Sequence, residues 1–195
     1  MSPVSQVGML LINTVGSILL LIVMLRFLLQ LVRADFYNPI SQFIVKATNP
    51  VLIPLRRVIP GFGGLDIASL VLAYGVQVIF MAGALLVMGY GLPWANIVVW
   101  SLVAIFALII KVYFWGMLIT VIASWIAPNS YNPALILINQ ILEPVIRPIR
   151  QKMPDMGGLD LSPIIILLGI QIVEIVALYP LVKLTQFPNV LGFMI

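Results

Sequence analysis

The chain contains neither cysteine nor histidine. That double absence excludes zinc sites built from Cys and His, histidine-ligated haem, thiol catalysis and a Ser-His-Asp triad. No metal or cofactor is expected. No carboxylate pair or nucleophile–base set stands out either, so the chain does not read as an enzyme. Charge is scarce as well: Asp, Glu, Lys and Arg make up 8% of 195 residues, against about 25% in soluble domains. Water is therefore not the main solvent of this protein.

What is present is apolar sequence, 63% of the residues, with a mean hydropathy of +1.19. It comes in blocks at about 9–32, 67–92, 96–127 and 161–184, each long enough to cross a hydrocarbon core, which takes about 20 residues of helix. The first block has no Lys or Arg before it. It is too long for a signal peptide and lacks a small-residue cleavage site, so it is expected to remain in the mature protein. The net charge of +4 and the pI near 9.6 come from cations that flank these blocks. Anionic lipid headgroups, not nucleic acid, are the expected counter-charge.

Residues 37–66 align with residues 131–160 at an offset of 94, without a gap and with thirteen identities. This is an internal duplication. Residues 1–94 form a first repeat, with spans at about 9–32 and 67–92 around an interfacial segment at 38–60. Residues 95–195 form a second, with spans at about 96–127 and 161–184 around an interfacial segment at 132–154. The expected fold is an all-α membrane protein of four transmembrane helices in two parallel repeats, related by a pseudo-twofold along the membrane normal. Arg33, Lys46, Arg56, Arg57, Arg147, Arg150 and Lys152 lie in the two connections, while on the other side Lys183 alone sits near a helix end. The positive-inside rule then places the amphipathic, proline-containing connections in the cytoplasm. Both termini and the turn at Gly91-Leu92-Pro93 face the periplasm or exterior, with Tyr90, Trp94, Trp100 and Tyr179 near that interface.

Each connection carries the same signals. Asn38-Pro39 and Asn132-Pro133 read as helix starts, since Asn can cap the first turn and Pro at the first helical position loses no bond. Ile40, Phe43, Ile44 and Ala47 recur at helical spacing, as do Ala134, Leu137, Ile138 and Ile141. A P-x-x-x-P-x-R motif follows, with Pro50, Pro54 and Arg56 in the first copy and Pro144, Pro148 and Arg150 in the second. These prolines are expected to end the first helix and start a second, kinked one. That helix would hold Arg56, Arg57, Arg147 and Arg150 at the headgroups or against a partner, where guanidinium groups meet phosphate bidentately. Gly63-Gly64-Leu65-Asp66 and Gly157-Gly158-Leu159-Asp160 close the connections. The glycines permit positive φ, and Asp66 and Asp160 can cap the following span.

Inside the spans, Gln77 and Gln171 are related by the same offset and suit interhelical hydrogen bonding. Gly75 and Gly169, also related, would allow close helix approach. Lys111 and Glu174 are deep in their blocks, at depths that differ by about 4.5 Å. Because an isolated ion there is costly, they are expected to pair and, with Gln77 and Gln171, to form an intramembrane polar network.

The paired Asn-Pro, P-x-x-x-P-x-R and Gly-Gly-Leu-Asp signatures resemble those of the YggT (YlmG-like) family over essentially the whole chain. The second copy extends to Gly157-Gly158-Leu159-Asp160-Leu161-Ser162-Pro163, while the first departs after Asp66 to Ile67-Ala68-Ser69. The resemblance implies an integral protein of the bacterial cytoplasmic membrane, linked to osmotic-stress and potassium adaptation and to division or envelope processes. Plastid relatives act in assembling membrane cytochrome haem. The implied function is that of a scaffold or assembly factor, the alternative being a component of an ion (potassium) or osmolyte transport system. Expected partners are the lipid bilayer, other membrane or division proteins and a second copy of the chain.

Overall fold

The structure is a computed structural model that describes residues 2–127, 130–153 and 160–195. The predicted turn at Gly157-Gly158-Leu159 lies outside the described residues. Helices α1 (Pro3–Leu31), α3 (Ile67–Val87) and α4 (Trp94–Ile126) are long and apolar enough to cross a membrane, as is the stretch Ser162–Leu184. Two shorter helices, α2 (Pro39–Val58) and α5 (Pro133–Arg150), fill the connections. The chain is thus a multi-pass membrane protein built from helices, with no named strand among the described residues.

In the bundle α3 packs on α1 and on α4, and α4 in turn carries the last span. The α1–α3 contact depends on glycine. A Cβ on Gly16 would lie 2.6 Å from Phe80 Cδ1, and one on Gly8 would lie 3.0 Å from Val87 Cγ1. These two pairs run in opposite chain directions, so α1 and α3 are antiparallel and meet along a stripe cleared by small residues. Gly75 and Gly169 do not serve this way: a Cβ at either would meet nothing within 4 Å. Their position in the repeat is real, but close approach occurs one helix face away.

Both surface helices begin where the Asn-Pro pairs predict. Asn38 Oδ1 accepts from Ile40 N at 2.9 Å and Asn132 Oδ1 from Ala134 N at 2.9 Å. The prolines do not break them as expected, for α2 runs through Pro50 and Pro54 and α5 through Pro144 and Pro148. Each proline removes one bond to the carbonyl four residues earlier. The spacing of four stacks both losses on one exposed face, where other donors can solvate the freed carbonyls. The buried face of α2 is also rotated from the predicted one. Ser41, Ile44, Thr48 and Leu52 are buried, whereas Phe43 is 61% exposed. In α5 Leu137 and Ile141 are buried as the spacing suggests, joined by Leu142 and Ile146.

The last span is not a uniform α-helix. It runs as α6 (Ser162–Val173), a π-helical turn (Glu174–Leu178) and α7 (Tyr179–Leu184). Tyr179 N donates to Glu174 O, five residues back. The next residue, Pro180, has no N–H and would clash with the carbonyl four residues earlier, which a widened turn avoids. Beyond α7 the chain folds back, burying Phe187 and Leu191. Trp100 is buried against this return, its Nε1 donating to Thr185 O at 2.8 Å and its ring 6.2 Å from that of Phe187. It therefore does not face the membrane interface, whereas Tyr90, Trp94 and Tyr179 are exposed.

The packing yields a first prediction. Gly16→Ala should lower thermal stability in detergent by about 1–3 kcal/mol, as overpacking does, and Phe80→Leu in the same chain should restore part of the loss. Gly75→Ala should be neutral or stabilising by up to about 1 kcal/mol, since it replaces a helical glycine in open space. A melting series in which Gly75→Ala is the more damaging change would refute the assignment of the α1–α3 seam.

Candidate functional site

The repeated motif assembles two ion-paired junctions where each surface helix turns into the next span. In the first, Gly63 (φ 59°) and Gly64 (φ 83°) form a tight reversal, closed by hydrogen bonds between Phe62 and Leu65. This brings Asp66 under the end of α2. Arg56 Nη2 reaches Asp66 Oδ2 at 2.5 Å and Gln30 Oε1 at 2.8 Å, tying α2 to α1 and to the start of α3. Asp66 also takes the Ser69 hydroxyl and, at 3.4 Å, the Ser69 N–H as cap of α3. In the second junction Arg150 Nη2 lies 2.7 Å from Asp160 Oδ2, and Ser162 donates to Asp160 Oδ1 through its N–H at 2.9 Å and its hydroxyl at 2.5 Å.

Equivalent in sequence, the two junctions differ in environment. Asp66 keeps 3% of its side-chain exposure against 33% for Arg56, while Asp160 and Arg150 keep 42% and 57%. Burial alone pushes the Asp66 carboxyl up. The hydrogen bonds from Arg56 and Ser69 and the charge of Arg56 outweigh that and hold it below the ordinary carboxylate range. Asp160 is lowered too, against its slighter burial, by its bonds from Ser162 and Arg150 and by the Arg150 charge. Arg56 and Arg150 are thus each ion-paired within the chain, and Arg150 keeps more than half of its side chain exposed. Arg57 and Arg147 are exposed.

The surface helices are also joined to each other. Asn38 Nδ2 donates to Pro133 O at 2.8 Å, and Asp35 N donates to Gln140 Oε1 at 3.0 Å. These bonds couple the two repeats at one end of the bundle.

The intramembrane residues collect around two cavities of about 380 and 410 Å³. Gln77 and Lys111 line the first, together with Asn13 and Ser17; Lys111, Gln171 and Glu174 line the second. Lys111 and Glu174 share a cavity without forming the expected ion pair. Lys111 Nζ instead donates to the main-chain oxygen of Ile195 at 2.5 Å, because the returning segment reaches it first. Gln77 Nε2 points at Met194 Sδ at 3.5 Å, in the same segment. The π-helical turn starts at Glu174 itself.

Sequence reasoning missed Arg26, which is 6% exposed within α1. It is a single cation near the end of an apolar block, and its counterpart at the repeat offset is Thr120. The available signal was that lack of a counterpart, since the other repeated positions mark architecture.

The burial difference predicts unequal consequences for the two junctions. Asp66→Asn leaves Arg56 without its main partner and should cost about 3 kcal/mol, as for other broken buried pairs. Asp160→Asn should cost no more than about 1 kcal/mol. The folded carboxyl of Asp66 titrates below its unfolded value of about 3.9. Its contribution is therefore present above that value and lost as the pH falls through the folded one. Melting in detergent as a function of pH should show a loss below about pH 4 that is smaller in Asp66→Asn; an identical acid limb in both chains would remove the pair from this role.

Two segments of the chain, residues 5–87 and 99–181, match the model of the CCB3/YggT family, the second match starting and ending 94 residues after the first. An uncharacterized protein of Pseudomonas aeruginosa is 50% identical over 183 residues, 93% of each chain. A Vibrio alginolyticus protein is 39% identical over 163 residues, 83% of this chain and 88% of the relative. The uncharacterized protein YggT of Escherichia coli K12 is 37% identical over 166 residues, 84% and 85% of the two chains. No solved structure matches the chain.

Proposed function

We propose that this chain, which belongs to the CCB3/YggT family, acts as a scaffold or assembly factor in the bacterial cytoplasmic membrane, serving envelope, division or osmotic-stress processes. One observation carries the reading. The two repeated surface helices are bonded to each other and locked onto the spans, yet they keep an outward surface that the fold does not use. Phe43, Val51 and Val58 of α2 are 61%, 53% and 79% exposed, and Arg57 and Arg147 are exposed cations on the same two helices. A rigid platform of apolar and cationic side chains on these two helices suits the positioning of other membrane proteins at an anionic bilayer surface.

The cations of the two connections favour the cytoplasmic side for this platform, with both termini outside. The chain itself has no cysteine, so single cysteines can be placed cleanly. Cysteines at Phe62 and Tyr131, which are 81% and 90% exposed, should react with an impermeant maleimide only after the membrane is opened. A cysteine at Tyr90, 55% exposed at the other end of the spans, should react in intact spheroplasts. The opposite pattern would invert the topology.

The scaffold role itself is tested by photo-crosslinking residues at Phe43 and Val51 in native membranes, with Ile79 on α3, 69% exposed, as a control in the span. Discrete membrane-protein adducts should form from Phe43 and Val51, should depend on the Asn38–Pro133 bond, and should be absent from Ile79. Purified protein in liposomes should pass no more potassium than empty vesicles. A potassium flux abolished by Glu174→Gln, without adducts at the platform, would overturn this reading and favour the transport alternative.

A further inference from the structure

The first repeat contains a basic cavity that the duplicated motif does not explain. It measures about 730 Å³ and lies where α1 ends and α2 begins, lined by Arg26, Arg33, Phe36, Gln42, Lys46 and Gly64 among others. No Asp or Glu is among its lining residues. The nearest buried carboxylate, Asp66, is already held by Arg56 and Ser69.

Arg26 supplies the strongest sign of a missing ligand. It is 94% buried, and its Nε and Nη1 have no hydrogen-bond partner among the described residues. The Phe36 ring lies 5.2 Å from its Cζ, which offsets part of the charge but leaves the in-plane donors unmet. Buried charged donors are costly unless paired, so an acceptor with several oxygens would relieve this site.

Arg33 supplies a second and independent sign. It sits at φ 53°, just past the end of α1, where Ala34 N closes on Leu29 O at 2.9 Å. This left-handed closing position is the one that glycine fills without strain. Gln186 closes α7 in the same way at φ 51°, so what distinguishes Arg33 is its place on the cavity wall. Lys46 of α2 adds a third cation. At the repeat offset Arg26, Arg33 and Lys46 correspond to Thr120, Ala127 and Gln140. The duplication retained Arg56 as Arg150 but not this set, so the architecture shared by the two halves does not require it.

The location selects the ligand. Arg26 precedes the end of α1 at Leu31 by five residues, about 7.5 Å along the helix axis, which sets it near one end of the span whichever way the protein faces. Phe36 and Val45 give the cavity apolar wall beside its cations. We propose that it binds the phosphate of an anionic phospholipid, Arg26 donating from the wall and Arg33 and Lys46 closing around the headgroup. This assignment does not depend on the scaffold role.

The test uses the full chain purified in a neutral detergent, with lipid binding read by native mass spectrometry and by thermal shift. Phosphatidylglycerol should bind and raise the melting temperature, and phosphatidylcholine should not. Arg26→Gln and Arg33→Gly should each weaken phosphatidylglycerol binding about tenfold or more, as expected for a lost charge-assisted bond. Lys46→Gln should weaken it by less, and Arg57→Gln, outside the cavity, should leave it unchanged. Arg33→Gly is the decisive variant. It relieves the left-handed strain, so the lipid-free protein should melt at or above the wild-type temperature while binding is lost. Wild-type affinity in Arg33→Gly and Arg26→Gln would overturn the site, as would equal binding of phosphatidylcholine. Inorganic phosphate or glycerol phosphate binding as tightly as the lipid would overturn the lipid assignment in favour of a soluble phosphate.

Discussion

A bilayer interior offers no water to a backbone N–H or C=O, and this constraint governs where everything else in the molecule can be. Inside the hydrocarbon the chain must satisfy its own main chain, which it does with α1, α3, α4 and the last span. Caps and ion pairs are then found at the ends, while the return of residues 185–195 reaches deeper, packed inside the bundle against Lys111 and Gln77. At one end the fold concentrates its polar chemistry: two surface helices, two Arg–Asp junctions and the bonds between Asn38 and Pro133 and between Asp35 and Gln140. Within the membrane the departures from this rule are few and local. The π-helical turn at Glu174 is the clearest, and the proline that follows it accounts for the widened geometry.

The Arg–Asp junction shows how a duplicated motif can keep its geometry while changing its energetic weight. Both copies bridge ten residues of sequence, from Arg56 to Asp66 and from Arg150 to Asp160. In the first copy Gln30 of α1 joins the guanidinium and Ser69 serves as the capped residue. In the second, Ser162 takes the place of Ser69 one residue earlier relative to the aspartate. The second pair is left half in solvent, where screening weakens it. A motif comparison alone would call the junctions equal; burial makes the first a structural lock and the second a weaker tie.

Much of the architecture was legible in the sequence because its signals are local. Span length, the Asn-Pro starts of α2 and α5 and the positive φ of Gly63 and Gly64 each depend on a few neighbouring residues. What was not legible depends on which face meets which. Phe43 and Ile44 are adjacent in sequence, and only the packing of α2 on α1 and α3 decides that Ile44 is buried and Phe43 exposed. Gly16 and Gly75 are both glycines inside apolar spans, but of the two Gly16 meets a partner, Phe80. Proline spacing misled for a related reason. Four-residue spacing puts both lost bonds on one wet face, and a surface helix tolerates there what a buried helix would not. Lys111 and Glu174 reach one cavity as their depths imply, yet the return of residues 185–195 supplies Lys111 with a nearer acceptor.

Comparing the two halves position by position separates architecture from local chemistry. Features retained at the 94-residue offset, the Asn-Pro caps and the Arg–Asp junctions, are those any such helix–surface helix–helix unit needs in order to fold. Other charged residues are present once. Arg26, Arg33 and Lys46 belong to the first half and gather at the surface-helix end of the spans. Lys111 and Glu174 belong to the second, their counterparts being Ser17 and Phe80. The consequence is visible at Phe80, which fills the space over Gly16 in the tight α1–α3 seam. In the second half the equivalent position is the carboxylate Glu174, which lines a cavity beside Lys111 and Gln171. A charged group cannot take the place of that aromatic ring in a dry helix interface without finding partners or water. The last span is also less buried than α3, 11% against 33%. The two halves have thus diverged at different depths, the first toward the headgroups and the second toward the bilayer centre.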